Sequence, residues 1–342
     1  VPASRSGHRT TIADIAREAG VSKGAVSFAL NGRPGVSEAT RERILRIARD
    51  LGWRPNSAAR ALTGGTVGAI GLVIDRPPAA LGTEAFFNQL IAGLQLGLGD
   101  SHSALMVRVV SAEEEELETY SSWWSSRRVD GVVVIDPHAD DPRLKLLAEL
   151  ELPAVVVGSH APRPEVSAVW MDNDGVATML FDYVAALGHR RLAYVCGDPE
   201  LDHVAARRAQ LRRTAEGRGL QALVEDGDFS AASAAARTRS LLSLGERPSA
   251  IVYDNDVMAV AGLNVAHEMG VAVPGDLSLA SFDDSHVARL VRPPITAVSR
   301  DTTALGAQAA RLLLAAVAGG PAREEPGPQA TLEVRASTAP PC

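Results

Sequence analysis

Between Thr11 and Leu30 the chain reads TIADIAREAGVSKGAVSFAL, and the side chains in it with binding chemistry to offer are Lys23, Ser27 and Phe28, with Gly24 beside them. At helical spacing these residues share one face. Carried on the N-terminal end of a helix, such a face suits the base edges of a DNA major groove. A lysine ammonium can bond guanine in a bidentate way, and an aromatic ring can pack on a thymine methyl. Gly24 reads no base by side chain.

The elements that must hold this face are legible around it. Thr11 is a plausible N-cap with Asp14 three residues on, and Ile12, Ile15, Ala16 and Ala19 recur as one apolar stripe. Gly20 permits the positive φ of a tight turn, Val21 plugs the angle, and Ser22 caps a second helix that buries Val26, Ala29 and Leu30. That is a helix-turn-helix pattern, whose bland alternative is an ordinary helical hairpin. Asn31-Gly32-Arg33-Pro34-Gly35 then forms a loop, and Ser37 caps a third helix with Ile44, Ile47, Ala48 and Leu51 on one face above Trp53. Residues 1–10 are polar and basic, as in a disordered arm, so 11–53 make a compact headpiece.

Residues 54–65 read as a hinge. Pro55 stops what precedes it, Asn56 can cap a new helix and Gly64 can end it. A helix of about seven residues is unstable alone in water, so it should form only when held. Its small residues Ala58, Ala59 and Ala61 would admit a symmetry mate, leaving Leu62 as an apolar wedge for a minor-groove base step. An ordinary linker is the competing reading.

Charge separates the chain in the same place. Residues 1–62 hold 11 Lys and Arg against 5 Asp and Glu, or +6, which leaves −13 of the net −7 for the rest. A basic head on an acidic body fits a nucleic-acid-binding module whose body stays off the phosphates. The two cysteines, Cys196 and Cys342, form no disulfide framework, and no Cys/His spacing calls for a metal. The N-terminus lacks an export pattern, and no apolar run approaches the roughly 18 residues of a membrane span, so a cytoplasmic, nucleoid-associated protein is expected.

From Thr66 apolar strands and helical stretches alternate. Strand-like runs at 67–74, 104–110, 131–135 and 154–157 are separated by helices near 85–98, 113–127 and 142–150, and the rhythm resumes at 191–196, 220–224, 250–253 and 277–282. Strand–helix–strand repeats mean parallel sheets with right-handed crossovers. So many strands fit an α/β core of two doubly wound lobes, with a cleft suited to a small ligand.

In this order, the stretches TIADIAREAGVS, VSEATRERILRIARDLGW, RPNSAARAL, ALGHRRLAYVCGD, DNDVMAVAGL and LSLASFDD resemble the lactose-repressor/galactose-repressor (LacI/GalR) family from Thr11 to about Thr338. The resemblance implies a helix-turn-helix headpiece on a periplasmic-binding-protein-like core (66–338). It implies an N-terminal lobe of about 66–170 with 297–322, and a C-terminal lobe of about 171–296 with 323–338. It further implies a homodimer, tetrameric in some members, on near-palindromic double-stranded operator DNA. An effector, usually a sugar, would occupy the interlobe cleft and alter DNA affinity.

Carried over by position, Lys23 and Gly24 fall on base-reading positions with Phe28 as a third, and Ala25 and Ser27 sit beside them. Thr11, Ser22 and Asn31 match phosphate-touching positions, while Leu62 matches the intercalating leucine in a hinge that includes Asn56 and Ala59. In the cleft the resemblance points to Phe86, Phe87, Ser159, His160, Arg207, Phe229, Asn255 and Asp283. Their chemistry suits sugars: a carboxylate accepts from hydroxyls, a guanidinium donates, an amide does both, and a flat ring faces C–H bonds. Two departures stand out, Gln210-Leu211 where the family has Gly-Phe after the arginine, and Gly158-Ser159-His160 where many members place a charge.

Two rival classes fit less well. A stand-alone sugar-binding protein has no use for residues 1–62. A Rossmann-type enzyme should open its first helix with G-x-G-x-x-G, and neither that motif nor G-x-S-x-G or H-E-x-x-H occurs. The expectation is therefore a regulator that is not an enzyme and that needs no cofactor or metal. Gly68 to Gly71 reads as close strand packing, and Trp123 and Trp124 as packing or dimer contacts.

Overall fold

In the computed structural model the described residues are 10–30, 33–53, 66–76, 82–101, 103–161 and 163–341. Asn31, Asn56, Ala59 and Leu62, with the rest of the expected hinge, lie outside them. The chain divides into two units, 1–67 and 68–342.

The first unit contains α1 (Ile12–Ala19), α2 (Lys23–Leu30) and α3 (Glu38–Asp50). Thr11 and Asp14 form a full capping box at the start of α1, and Gly20 ends it at φ 62°. The Ser22 hydroxyl accepts from the Ala25 N–H at 3.1 Å, and Ser37 caps α3. Ile15, Ala16, Ala19, Val26, Ala29, Ile44 and Ala48 make the core, with Val21, Leu30, Ile47 and Trp53 packed against it. Ile12, expected in the buried stripe, sits at its rim and is exposed.

The second unit holds two six-stranded sheets. The first contains β1 (Ala69–Asp75), β2 (Ala104–Val110), β3 (Gly131–Val134), β4 (Ala154–Gly158), β5 (Ser167–Trp170) and β11 (Glu324–Pro326), in the order β11-β5-β4-β3-β1-β2 and parallel throughout. Its central strands β1, β3 and β4 are apolar on both faces, as a covered parallel sheet requires. Ile70, Leu72 and Ile74 face α4 (Ala85–Leu98) and α12 (Thr302–Val317), while Val73, Val132 and Val134 face the side of α5 (Glu113–Ser125) and α6 (Pro142–Glu149). Gly71 lies under Trp123, where a Cβ would come within 2.4 Å of the indole, so the strand glycine serves packing. Trp123 is core and Trp124 is exposed.

Helices α4 and α12 touch backbone to backbone. A Cβ on Gly93 would stand 2.1 Å from the Thr303 carbonyl oxygen, and one on Gly306 would stand 2.4 Å from that of Leu90.

The second sheet contains β6 (Arg191–Cys196), β7 (Gln221–Asp226), β8 (Ala250–Tyr253), β9 (Ser278–Ser281), β10 (Thr296–Ser299) and β12 (Thr331–Glu333), in the order β12-β10-β9-β8-β6-β7. Only β12 runs antiparallel. Around it lie α7 (Asn173–Ala186), α8 (Asp202–Arg218), α9 (Ala231–Leu242), α10 (Asp256–Glu268) and the short α11 (His286–Leu290).

The chain passes between the lobes three times, after Trp170, after Ser299 and between Pro326 and Thr331. The last two crossings differ from the expected 296/297 and 322/323. Residues 296–299 pair with β9 and β12, which keeps them in the second lobe, and Glu324–Pro326 pair with β5 in the first. β5, β10, β11 and β12 were not expected as strands. Each is three or four residues long, too short to display a periodicity.

Candidate functional site

On the headpiece, Lys23 and Gly24 lie exposed in the first turn of α2, and Ala25 and Ser27 are half-buried beside them. Phe28 is 41% exposed, its ring edge resting over Gly35. Thr11 is exposed at the N-terminus of α1, where its N–H and hydroxyl both donate to Asp14, at 2.9 and 2.7 Å. Ser22 is exposed at the start of α2. Short polar caps of this kind leave other first-turn N–H groups free for phosphate oxygens.

The cleft is built from the C-terminal ends of the strands. In each sheet the strand order reverses once, between β1 and β3 and again between β6 and β8, and the crevice at such a reversal is where open α/β sheets take ligands. Arg76 follows β1, Asp136 follows β3, Gly197 follows β6, and Asp254 and Asn255 follow β8. Both reversals are bridged: Arg76 Nη2 bonds Asp136 Oδ2 at 2.6 Å, and the Gly197 N–H donates to Asp254 Oδ2 at 2.5 Å.

Between the lobes a cavity of about 60 Å³ is lined by Phe86, Phe87, Ser159, Arg207, Phe229, Asn255 and Asp283, all expected there. His160, also expected, is not among the lining residues. Gly158, at φ 111°, turns the chain so that Ser159 faces the cavity. The His160 ring instead stacks on Trp170 at 4.6 Å, and its Nδ1 bonds Glu324 Oε2 at 3.0 Å on the surface.

Arg207 projects from α8 with its guanidinium 4.2 Å from the Phe282 ring centre and donates to Asp254 Oδ1 at 2.6 Å. Asp254 also accepts from the Tyr194 hydroxyl. Gln210 and Leu211, where the resemblance led to Gly-Phe, are buried on the same helix; Leu211 is core. Phe229 has φ 64°, a region costly for a bulky residue, and its ring is accommodated by Gly197, whose added Cβ would lie 2.1 Å from it. Asn255 caps α10, accepting from Met258 N at 2.8 Å and donating to the Phe229 carbonyl at 3.2 Å, so it braces the aromatic as well as lining the cavity. Asp283 pairs with Arg300 at 3.3 Å, and burial raises its pKa against the pull of Arg300 and Arg207.

Sequence reasoning missed Arg76, Glu84, Asp136, His203, Asp254 and Arg300, which line the same cavity. Burial pushes the Asp136 carboxyl up, but the neighbouring Arg76 and His203, with Arg143 and His138, outweigh it and hold the carboxyl below its usual range. His203 is driven down to about 4 by burial and by Arg207, so its imidazole is neutral at pH 7. Glu84 is pushed up to about 8, chiefly by burial. Beneath them, Arg143 donates to the carbonyls of Ile135 at 3.1 Å and Asp136 at 2.8 Å while pairing with Asp141 and Glu116, which fixes the loop that presents Asp136. Asp254 adjoins Asn255 in the quoted DNDVMAVAGL stretch and could have been found there; the others carry no local signal.

The model of "Bacterial regulatory proteins, lacI family" matches residues 11–56, and that of "Periplasmic binding protein-like domain" matches 181–338. The HTH-type transcriptional regulator CelR of Thermobifida fusca is 33% identical over 319 residues, covering 91% of this chain and 93% of that protein. The structure of the transcriptional regulator CelR–cellobiose complex superposes with a TM-score of 0.72 at 30% identity, covering 96% of this chain and 100% of that one. The lac repressor dimer bound to operator and the anti-inducer ONPF gives 0.82 at 24% identity, covering 97% and 100%, and shows the shared fold.

Proposed function

This chain belongs to the lacI family of bacterial regulatory proteins, and from that premise we propose that it is a sequence-specific transcriptional repressor whose operator affinity is set by a sugar held between its two core lobes. The observation that carries this reading is one interlobe cavity with an aromatic face, a guanidinium, an amide and a carboxylate, in a chain that also has a helix-turn-helix. A β-linked disaccharide such as cellobiose, which the related CelR holds, is the first effector to try.

Lys23, Gly24 and Phe28, with Ala25 and Ser27 beside them, would read base edges, and Thr11, Ser22 and Asn31 would touch phosphates. Asn56, Ala59 and Leu62 would form the minor-groove hinge. The working unit is a homodimer on a near-palindrome in the cytoplasm, and the chain catalyses no reaction. By linkage the sugar changes DNA affinity only as far as it binds the two lobe arrangements differently, typically about 1–3 kcal/mol.

The test is selection of bound fragments from genomic DNA at two salt concentrations, with and without a panel of sugars. One short palindrome whose occupancy responds to one sugar is the expected result. Uniform, salt-sensitive binding with no enriched motif would refute it.

A further inference from the structure

The charges in the cleft balance in pairs with one carboxyl left over. Arg76 pairs with Asp136 at 2.6 Å, Arg207 with Asp254 at 2.6 Å and Arg300 with Asp283 at 3.3 Å. Glu84, the residue before α4, has no such partner among the described residues. It is 8% exposed, lines the cavity and makes no side-chain capping bond to its own helix, and its buried Oε1 has no hydrogen-bond partner among the described residues. Arg76 and Arg300 line the same cavity, and the buried Nε of each likewise has no partner among the described residues. Buried polar groups are nearly always satisfied, so three orphans at one cavity mark where a ligand's polar atoms belong.

The surroundings of Glu84 also decide its charge. Asp136 from the end of β3, Asp283 from the end of β9 and Asp256 from the first turn of α10 all oppose its ionisation, and Arg76 from the end of β1 favours it. Arg207 and His203 on α8, and Arg300 after β10, complete the charged and titratable lining, each arginine already held by its aspartate. Burial dominates and lifts Glu84 to about 8.

We propose that Glu84 is a specificity-determining residue of the effector cleft: it meets the effector as an uncharged carboxyl group, donates its proton to one ligand oxygen, and selects an uncharged polyhydroxy ligand over an anionic one. The proposal rests on the sugar-effector reading and narrows it. A hydroxyl can accept from Glu84 and donate elsewhere in the same cavity. An anionic group would need a guanidinium drawn from its aspartate, stranding a buried carboxylate, which is strongly unfavourable.

The experiment is calorimetric titration of the full chain and of Glu84→Gln at pH 6, 7 and 9. The probes are cellobiose, a panel of uncharged mono- and disaccharides, glucose 6-phosphate and glucuronate. An acid titrating near 8 loses about tenfold of its protonated fraction between pH 7 and 9, so uncharged-sugar affinity should fall about tenfold there. The amide of Glu84→Gln cannot titrate, and its affinity should be flat over that range.

A second readout needs no ligand and covers a variant that fails to fold. Infrared spectroscopy of the wild-type chain with ¹³C-labelled glutamate should show a protonated carboxyl band at pH 7 that fades by pH 9 to 10. Absence of that band, a flat pH profile in the wild type, or tighter binding of the phosphate or uronate than of any uncharged sugar each overturns the proposal and leaves the sugar-effector reading standing. If no sugar binds, charged or uncharged, both readings fail.

Discussion

Arg76 and Phe229 meet across the cleft, the guanidinium carbon of one 4.7 Å from the ring centre of the other, although Arg76 follows β1 of the first lobe and Phe229 follows β7 of the second. The same guanidinium is 5.7 Å from Phe87 and bonded to Asp136. A cation–π pair removed from water is worth about 2 kcal/mol, and this one lies on the face that a sugar ring would use. Arg76→Ala should loosen lobe closure in the ligand-free protein. Hydrogen exchange is expected to rise at residues 135–137 and 227–229 and to return toward the wild-type level on effector binding; unchanged exchange without effector would rule this tie out.

Asp283→Ala removes a carboxylate from the second lobe's side of the cleft while touching nothing in the headpiece sequence. It should abolish the effector response and leave operator recognition as it is. A dose–response curve that matches the wild type would take Asp283 out of the site.

Lys23→Ala should cost about 1–3 kcal/mol at the base pair it reads and relax discrimination there. Competition binding against operators changed one pair at a time measures this. A uniform loss over all sequences would make Lys23 a phosphate contact instead.

Gly93→Ala should destabilise the core by at least about 1–3 kcal/mol, because the new methyl group would meet the backbone of α12, which cannot rotate away as a side chain does. Urea unfolding followed by tryptophan fluorescence reads it, and an unchanged midpoint would mean that the helices separate without penalty.

Asp284 is held by Arg335 at 2.8 Å and Arg289 at 2.7 Å. Burial raises its pKa, but these bonds outweigh that and bring it below its ordinary 3.8. A folded pKa below the unfolded one adds stability that is complete above the unfolded value and is lost as pH falls through the folded one. Asp284→Asn should therefore melt below the wild type at pH 7, and the gap should close as pH falls from about 4 toward 2. A gap that stays constant over that range would remove the carboxylate charge as its cause.

The headpiece was legible because its caps, turn glycine and apolar stripe all act within a few residues of one another. Main strands and helices of the core were legible from the same kind of local periodicity. In the cleft the resemblance led to Phe86, Phe87, Ser159, Arg207, Phe229, Asn255 and Asp283, which the fold brings to one cavity. Arg76, Asp136 and Arg300 look like ordinary surface charges in sequence; they matter because three strand ends converge, and nothing local records that. His160 adjoins Ser159 in sequence, yet its ring stacks on Trp170 and does not line the cavity.

The three crossings between lobes also bear on how the protein is made. A ribosome that has delivered residues through Ser299 has supplied all of the second sheet except β12, whereas the first sheet, begun more than 200 residues earlier, still lacks α12 and β11. Until α12 emerges, Ile70, Leu72 and Leu90 have no cover from Leu305 and Leu313. The lobe translated first thus waits through the whole synthesis of β6 to β10 before its apolar face is covered, and only β12 is made after its own last strand, β11.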